Sequence, residues 1–248
     1  MPLNLEPPDG NRADWGLLYR ARGTEEVVDH RPVFTGDIFT NVEVLAPRAE
    51  KPKSKTVMVI QHPCAMRPQG TGLASSILVA EVRQHPEVQP GQWSGYGKLM
   101  PLPELYPQFT TGKRHAAALF DHTYHVHPDD LAVRVACLSP RGLNLLLQRW
   151  VFHSARVVVP THDFDEVTAP VYEEADLIED WCDIAMEAGR TVEEALHDVN
   201  AWLQEGLEAG ATRQKMLEQD QLRSNVRREL RTAAETWRAP EAPVEDIA

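Results

Sequence analysis

The strongest constraint on the fold is a change of sequence pattern near residue 162. Before this point, short apolar runs are separated by Gly and Pro, a pattern that favours strands joined by turns. After it, apolar residues recur at helical spacing, and Thr191 with Glu194 forms the capping box that begins many helices. Strands followed by helices predict an α+β protein.

The charge of the chain changes sign at the same place. Residues 31–162 carry 14 Lys/Arg against 9 Asp/Glu, whereas residues 163–210 carry one against 15, within a net charge of −12 for the chain. A composition shift of this kind favours a domain boundary. We therefore predict an N-terminal extension at 1–30, a β domain at 31–162, a helical region at 163–238 and a disordered tail at 239–248. Within the extension, apolar spacing over Asp14–Arg22 predicts a short helix.

Membrane and disulfide-stabilised classes do not fit the composition. No apolar run is long enough to cross a bilayer, and the first residues, Met1–Asn4, do not begin a signal peptide. The three cysteines are far apart and form no CxxC pair, which favours reduced thiols. These features predict a cytoplasmic protein with no membrane partner.

The stretch Thr56–Arg67 begins as an apolar strand and ends in a polar turn that contains Gln61, His62, Cys64 and Arg67. Many folds place functional side chains on a loop that a rigid strand positions. A cation beside a thiol raises thiol reactivity, and the same polar groups suit contacts to phosphates or bases. The alternative is a buried cysteine beside a histidine that hydrogen-bonds its own turn.

A second cluster consists of His122, His125 and His127. On an extended strand, His125 and His127 share a face, and this spacing suits a metal ion. A metal-dependent enzyme that uses these histidines is therefore one alternative function. The interpretation that we favour is a polar strand edge, so we predict no metal and no other cofactor.

Cations accompany aromatic residues in the predicted β domain, a mixture that is typical of proteins that bind single-stranded nucleic acid. The alternative is a solvated basic face, and the negative charge of the whole chain opposes strong binding. RNA or another single-stranded nucleic acid is the predicted partner. The residues predicted to contact it are Lys51, Lys53, Lys55, Gln61, Trp93, Tyr96, Lys113 and Arg114.

The last predicted helix, 211–238, carries only a narrow apolar stripe. Such a stripe is typical of a helix that docks on a partner or dimerises, and less typical of a core helix. This pattern supports an alternative in which the protein is a non-enzymatic scaffold that associates with itself or with another protein through its C-terminal helices.

The order of motifs in the β domain resembles the SH3-like barrel of the MazF/PemK toxin family. The corresponding features are Gly36-Asp37-Ile38, the basic loop Arg48–Lys55, the apolar strand Val57–Ile60 and the helix Pro140–Trp150. The resemblance covers residues 33–158. It implies an SH3-like β-barrel, binding of nucleic acid, and a role in a toxin-like or phage-defence-like bacterial system.

The sequence departs from that family at two places. The family has an arginine at the start of the second strand, where this chain has Lys55-Thr56. It also has a threonine after the third strand, where this chain has Val79-Ala80-Glu81. The acid–base pair of the family is therefore not visible in the sequence.

An endoribonuclease is the enzymatic form of the leading hypothesis. In that case His62 would move a proton, and Arg48 or Arg67 would stabilise the charge of the phosphate. These three residues are the predicted catalytic group.

Overall fold

The structure is a computed structural model that describes residues 4–8, 15–23, 26–46, 49–67, 72–109, 113–207 and 210–235. Arg48 and the predicted tail at 239–248 lie outside these ranges. The chain divides into two compact units, one formed by Met1–Asp29 with Val33–Ala169 and the other by His30–Pro32 with Pro170–Ala248. No helix in the described part of the chain has the length and apolar character needed to span a membrane.

The first unit is built on one antiparallel sheet of seven strands, in the order β1-β7-β2-β3-β4-β6-β5. Together with the helices, this sheet confirms the predicted α+β class. The strands are β1 (Tyr19–Arg22), β2 (Ile38–Val44), β3 (Lys53–Val59), β4 (Ile77–Gln84), β5 (Leu99–Leu102), β6 (Ala116–Val126) and β7 (Val133–Leu138). The helices of this unit are α1 (Pro63–Met66), α2 (Pro140–Ala155) and the first turn of α3 (Asp165–Glu187).

The described strands form an open sheet and not the closed barrel that the resemblance implies. The edge strands β1 and β5 do not pair with each other. One physical reason is that β5 contains Pro101 and is followed by Pro103, and proline has no N–H to donate to a ladder. Side chains join the edges instead. The Tyr19 hydroxyl donates to the Pro103 carbonyl (2.9 Å), and Arg22 Nη1 donates to the Glu104 carbonyl (3.1 Å). We refer to this contact as the seam.

The predicted apolar strand is confirmed as β3, which lies in the middle of the sheet. All four residues of Val57–Ile60 are 0% exposed, so both faces of the strand are covered. Val57 and Val59 belong to a core cluster that also includes Met66 of α1. Burial of this kind contributes about 1.5–3 kcal/mol for each large apolar side chain.

Gly36 and Asp37, which belong to the family resemblance, lie in the turn before β2. Gly36 has a φ of +90°, and a Cβ atom at this position would lie 3.0 Å from the Leu138 side chain. Asp37 accepts a hydrogen bond from the Phe34 amide (2.9 Å) and pairs with buried Arg134 on β7, with 3.2 Å between Oδ2 and Nε. This buried pair therefore connects the start of β2 to its neighbour in the sheet.

The helix predicted over Asp14–Arg22 is wrong for most of its length. A single 3-10 turn covers Trp15–Leu18, and Tyr19–Arg22 then forms edge strand β1. β1 pairs with β7, with Tyr19 opposite Leu138. Tertiary pairing overrides the local pattern here, because propensity is a weak preference over four residues.

The second unit is helical. It contains α3 from Pro170 onward, α4 (Val192–Gln204), α5 (Arg213–Met216) and α6 (Asp220–Glu235). The capping box is confirmed, because the Thr191 hydroxyl accepts from the Glu194 amide and the Glu194 carboxylate accepts from the Thr191 amide. Arg31 is buried in this unit, where its Nη1 donates to Asp176 (2.7 Å) and Glu179 (2.6 Å).

The prediction of one continuous helix over 211–238 is wrong. The segment breaks into α5 and α6, and the stripe residues Leu217, Val226 and Leu230 are buried within the helical unit, whereas Met216 and Leu222 are half-buried. Val226, Leu230 and Ala234 are at most 1% exposed, and the first two belong to one cluster with Trp181 and Leu203. A narrow stripe is sufficient because several helices share a small core. Leu217, Val226 and Leu230 consequently belong to the core of the helical unit.

We expect Leu230→Ala to lower the free energy of unfolding by about 2–5 kcal/mol, because it leaves a cavity in this core. Leu45→Ala, the same change at a 61% exposed leucine, should alter the free energy by less than about 0.5 kcal/mol. Urea unfolding followed by circular dichroism measures both. Equal, small effects of the two variants would contradict the burial of Leu230 and would favour the interpretation of 211–238 as a helix that docks on a partner or dimerises.

Candidate nucleic-acid interface

The polar side chains of the turn after β3 mainly form hydrogen bonds with backbone groups. Gln61 accepts from the Leu78 amide and donates to the Ala65 carbonyl, at 2.8 Å each. His62 is the N-cap of α1, and its Nδ1 accepts from the Cys64 amide (3.3 Å). Arg67 Nη2 donates to the Val33 carbonyl (3.4 Å). This arrangement corresponds to the structural alternative stated for the turn, except that Cys64 is exposed.

His62 is half-buried, and burial lowers the pKa of its imidazole. A lowered pKa keeps the ring neutral near pH 7, which is the form that accepts a proton. Its Nδ1 already accepts a backbone hydrogen bond, so Nε2 carries the proton of the neutral ring and is a donor, which opposes a role as general base.

The lysines predicted to bind nucleic acid lie at the opposite end of β3 from His62. Lys53 begins the strand, and His62 follows its end. At about 3.3 Å per residue, roughly 20 Å separates Lys55 from His62. The structure therefore does not bring the predicted catalytic histidine together with the predicted phosphate-binding lysines.

Lys55 belongs to a cluster centred on the buried carboxylate of Glu81, which lies on β4. Lys55 Nζ and Arg83 Nε each lie 2.6 Å from Glu81 Oε1, and the Tyr124 hydroxyl donates to Oε2 (3.0 Å). Burial raises the pKa of Glu81, but hydrogen bonds from Arg83, Lys55 and Tyr124 outweigh it and lower the pKa to about 2. The cluster consequently holds one anion between two cations at neutral pH.

Strand register brings further cations to the same end of the sheet. Thr56 on β3 is opposite Val82 on β4, and Arg83 is opposite Ala117 on β6. The start of β3, the end of β4 and the start of β6 therefore lie side by side. Cationic residues at these positions are Lys51 and Lys53, which are exposed, Lys55, Arg83, exposed Lys113, and Arg114, whose Nη2 lies 3.1 Å from Glu104 Oε1.

Trp93 is not available to stack on a nucleotide, which corrects the sequence prediction. Its side chain is 0% exposed, stacks on Trp15 (5.9 Å between ring centroids) and lies against the Arg149 guanidinium (4.9 Å). Burial lowers the pKa of Arg149 to about 9. Tyr96 is half-buried, with its ring edge-on to His85 (6.0 Å). An aromatic residue in a Gly-rich segment is thus a core residue here.

The exposed aromatic residue of this region is Phe109, which the sequence prediction missed. Phe109 is 49% exposed and packs against Tyr106, with 5.7 Å between ring centroids. Both residues lie in the connection between β5 and β6, on the same connection as Lys113 and Arg114. In the sequence, Phe109 follows two prolines and precedes a basic segment, and this pattern could have indicated a binding residue. The sequence does not show, however, which aromatic rings are exposed at the surface.

A cavity of about 420 Å³ lies at the seam. Arg22, Gly23 and Glu26 line it from the β1 side, and the β5–β6 connection lines it with Leu105–Gln108. The Tyr106 wall is fixed, because its amide donates to the Arg114 carbonyl (3.0 Å) and its side chain hydrogen-bonds Thr56. The cavity and the cationic strand ends are therefore connected through Thr56, which is adjacent to Lys55.

The histidine cluster does not form a metal site in the described part of the chain. His125 Nδ1 is 3.1 Å from the Ser76 hydroxyl, while His127 Nδ1 accepts from the Asp129 amide (3.3 Å). Among the described residues, no group of three or more His, Cys, Asp or Glu side chains is placed to hold a metal ion. The metal-dependent alternative therefore has no support from the geometry.

No protein-family model matches this sequence, and no curated protein matches it significantly. Functional inference consequently depends on the geometry described above.

The lowered pKa of Glu81 predicts a specific acid sensitivity. Its folded pKa lies below the unfolded value of 4.5, so the ionised cluster stabilises the fold above about pH 4.5 and loses this contribution as the pH falls toward 2. We expect the difference in unfolding free energy between the wild type and Glu81→Gln to shrink by ~2 kcal/mol between pH 6 and pH 2.

Urea unfolding at several pH values tests this expectation. Glu43→Gln, at an exposed position of β2, is the matched control and should follow the wild type at every pH. A pH-independent difference for Glu81→Gln would show that the carboxylate does not titrate in this range.

Proposed function

We propose that the first unit binds single-stranded nucleic acid at the end of the sheet where β3 starts and β4 ends. We define this strand-end surface as Lys51, Lys53, Lys55, Arg83, Tyr106, Phe109, Lys113 and Arg114. Its chemistry combines exposed cations, which attract phosphates, with an aromatic face on which a base stacks.

The observation that carries the proposal is the position of Phe109. Exposing about half of an apolar ring to water costs free energy, and this cost falls when another group covers the ring. Here the ring packs on Tyr106 and lies on the same connection as Lys113 and Arg114. Aromatic rings beside Lys and Arg are the common feature of surfaces that hold single strands without reading a long sequence.

The electrostatics favour moderate, salt-sensitive binding. Lys51 and Lys53 are exposed, whereas Lys55 and Arg83 share the carboxylate of Glu81, and Arg114 pairs with Glu104. Internal pairing reduces the field that reaches a phosphate. Stacking on Phe109 therefore supplies a larger share of the binding energy than it would on a strongly basic surface.

Binding, and not cleavage, is the activity that we propose. The predicted catalytic His62 is roughly 20 Å from the strand-end surface along β3. The carboxylate that lies at the surface, Glu81, has a pKa of about 2 and is a weak base. Neither group supports RNA cleavage at this surface.

We also propose that the open seven-stranded sheet is a divergent SH3-like fold related to the MazF/PemK family. Support comes from the order of the glycine-aspartate turn, β2, the basic hairpin and β3. Further support comes from the two places at which the sequence departs from the family. Lys55 and Glu81 occupy these places, and Lys55 Nζ lies 2.6 Å from Glu81 Oε1. Under this proposal an ion pair replaces the catalytic residues of the family, and a toxin-like or defence-like role would act through binding.

Phe109→Ala tests the stacking contribution. Base stacking on an aromatic residue is worth about 1–3 kcal/mol, so we expect affinity for a fluorescein-labelled U12 RNA to fall roughly 5-fold to 150-fold in fluorescence anisotropy. Val157→Ala, which truncates another apolar residue that is 54% exposed, is the matched control. If both variants bind like the wild type, Phe109 is not a stacking platform and the proposed surface is wrong.

The exposed lysines predict a change in salt dependence. For each phosphate contact that is lost, the slope of log K against log salt concentration decreases by about 0.7 for single strands. The double variant Lys51→Gln/Lys53→Gln should therefore reduce this slope by about 1.4 over 50–300 mM NaCl. Lys98→Gln serves as control, because Lys98 is exposed and precedes β5 at the end distant from Pro103. An unchanged slope in the double variant would place the phosphates elsewhere.

A further inference from the structure

The seam cavity contains both a carboxylate and a guanidinium. Glu26 is exposed, lines the cavity and accepts from the Arg22 amide at Oε2 (3.0 Å). The Arg22 guanidinium lies above the Tyr19 ring (5.3 Å), and its Nη1 donates to the Glu104 carbonyl and lies 3.6 Å from the Glu104 carboxylate, which leaves Nε and Nη2 for a ligand. Gln108 adds a carboxamide to the lining. The cavity thus presents carboxylate and carboxamide acceptors together with guanidinium donors.

The remaining lining includes apolar and aromatic side chains. Leu105, Pro107 and Val135 supply apolar surface, and Tyr106 supplies an aromatic ring. Burial raises the pKa of the Tyr106 hydroxyl, so this group stays neutral. Ligand cavities of about 300–1,000 Å³ typically combine apolar walls with a few fixed polar groups, and about 420 Å³ is in the range for one nucleoside.

We propose that this cavity binds one guanine base of the single strand. The inference rests on the proposed function, because Tyr106 belongs to both the strand-end surface and the cavity. It adds a base preference to a surface that otherwise binds without regard to sequence.

Guanine is the base whose hydrogen-bonding groups match this cavity. Its N1–H and N2–H₂ groups are adjacent donors, and an ionised carboxylate such as Glu26 accepts two parallel hydrogen bonds. Adenine, cytosine and uracil do not offer two adjacent donors on that edge. Guanine O6 and N7 are acceptors that suit an arginine such as Arg22. One base therefore satisfies both charged groups of the cavity.

The test uses the full chain and four RNA nonamers, all uridine except for a central G, A, C or U. Fluorescence anisotropy should show that the G nonamer binds at least 10-fold more tightly than the other three. Glu26→Gln exchanges one acceptor oxygen for a donor and should remove this preference while leaving affinity for the all-uridine nonamer within two-fold. Glu43→Gln, the same change at an exposed position of β2, should keep the preference.

A second readout separates the cavity from the rest of the surface. Guanosine 5′-monophosphate should raise the melting temperature of the wild type more than the adenosine, cytidine or uridine monophosphates do, and should have no such effect on Glu26→Gln. Equal binding of all four nonamers, or a guanine preference that survives in Glu26→Gln, would overturn the inference while leaving the proposed function intact. If no nonamer binds, the proposed function is wrong, and the monophosphates alone then decide whether the cavity recognises guanine.

Discussion

The hydrogen bond from the Tyr19 hydroxyl to the Pro103 carbonyl is the contact on which the site of the first unit depends. β5 cannot extend a backbone ladder, since Pro101 and Pro103 lack N–H groups. A buried carbonyl without a donor costs about 1–3 kcal/mol, and Tyr19 supplies that donor from the other edge of the sheet. The two edges thereby enclose a cavity whose walls come from β1 and from the β5–β6 connection. The incomplete ladder thus leaves a cavity at this side of the sheet.

Ion pairs within each unit neutralise part of the charge that the sequence pattern shows. The sequence shows a basic region followed by an acidic region, but much of this charge is used internally. Glu81 neutralises Lys55 and Arg83 in the sheet, and in the helical unit Asp176 and Glu179 hold buried Arg31. Lys51 and Lys53, in contrast, are exposed to solvent. A regional sum of charges therefore overstates the field at the surface.

Local patterns predicted the elements whose signals are local. Ser139 caps the predicted helix α2, since its hydroxyl accepts from the Gly142 amide (3.1 Å), and the central strand β3 follows from its apolar residues. Prediction failed where a distant segment decides the outcome. Tyr19 is in a strand because β7 is beside it, and Trp93 is buried because Trp15 and Arg149 cover it. Within the candidate site, the basic hairpin was predictable, whereas the exposure of Phe109 and the contact of Lys55 with Glu81 were not.

The α+β class, the central strand, the capping box of α4 and the basic hairpin follow from the amino-acid sequence, because they depend on neighbours within a few residues. The open sheet, the burial of Val226 and Leu230 in α6 and the meeting of cations from β3, β4 and the β5–β6 connection at one end follow from tertiary packing. Burial and register depend on which surfaces pack together over long sequence separations. The cavity at the seam belongs to this second group, since Arg22 and Tyr106 are distant in the chain and adjacent in the fold.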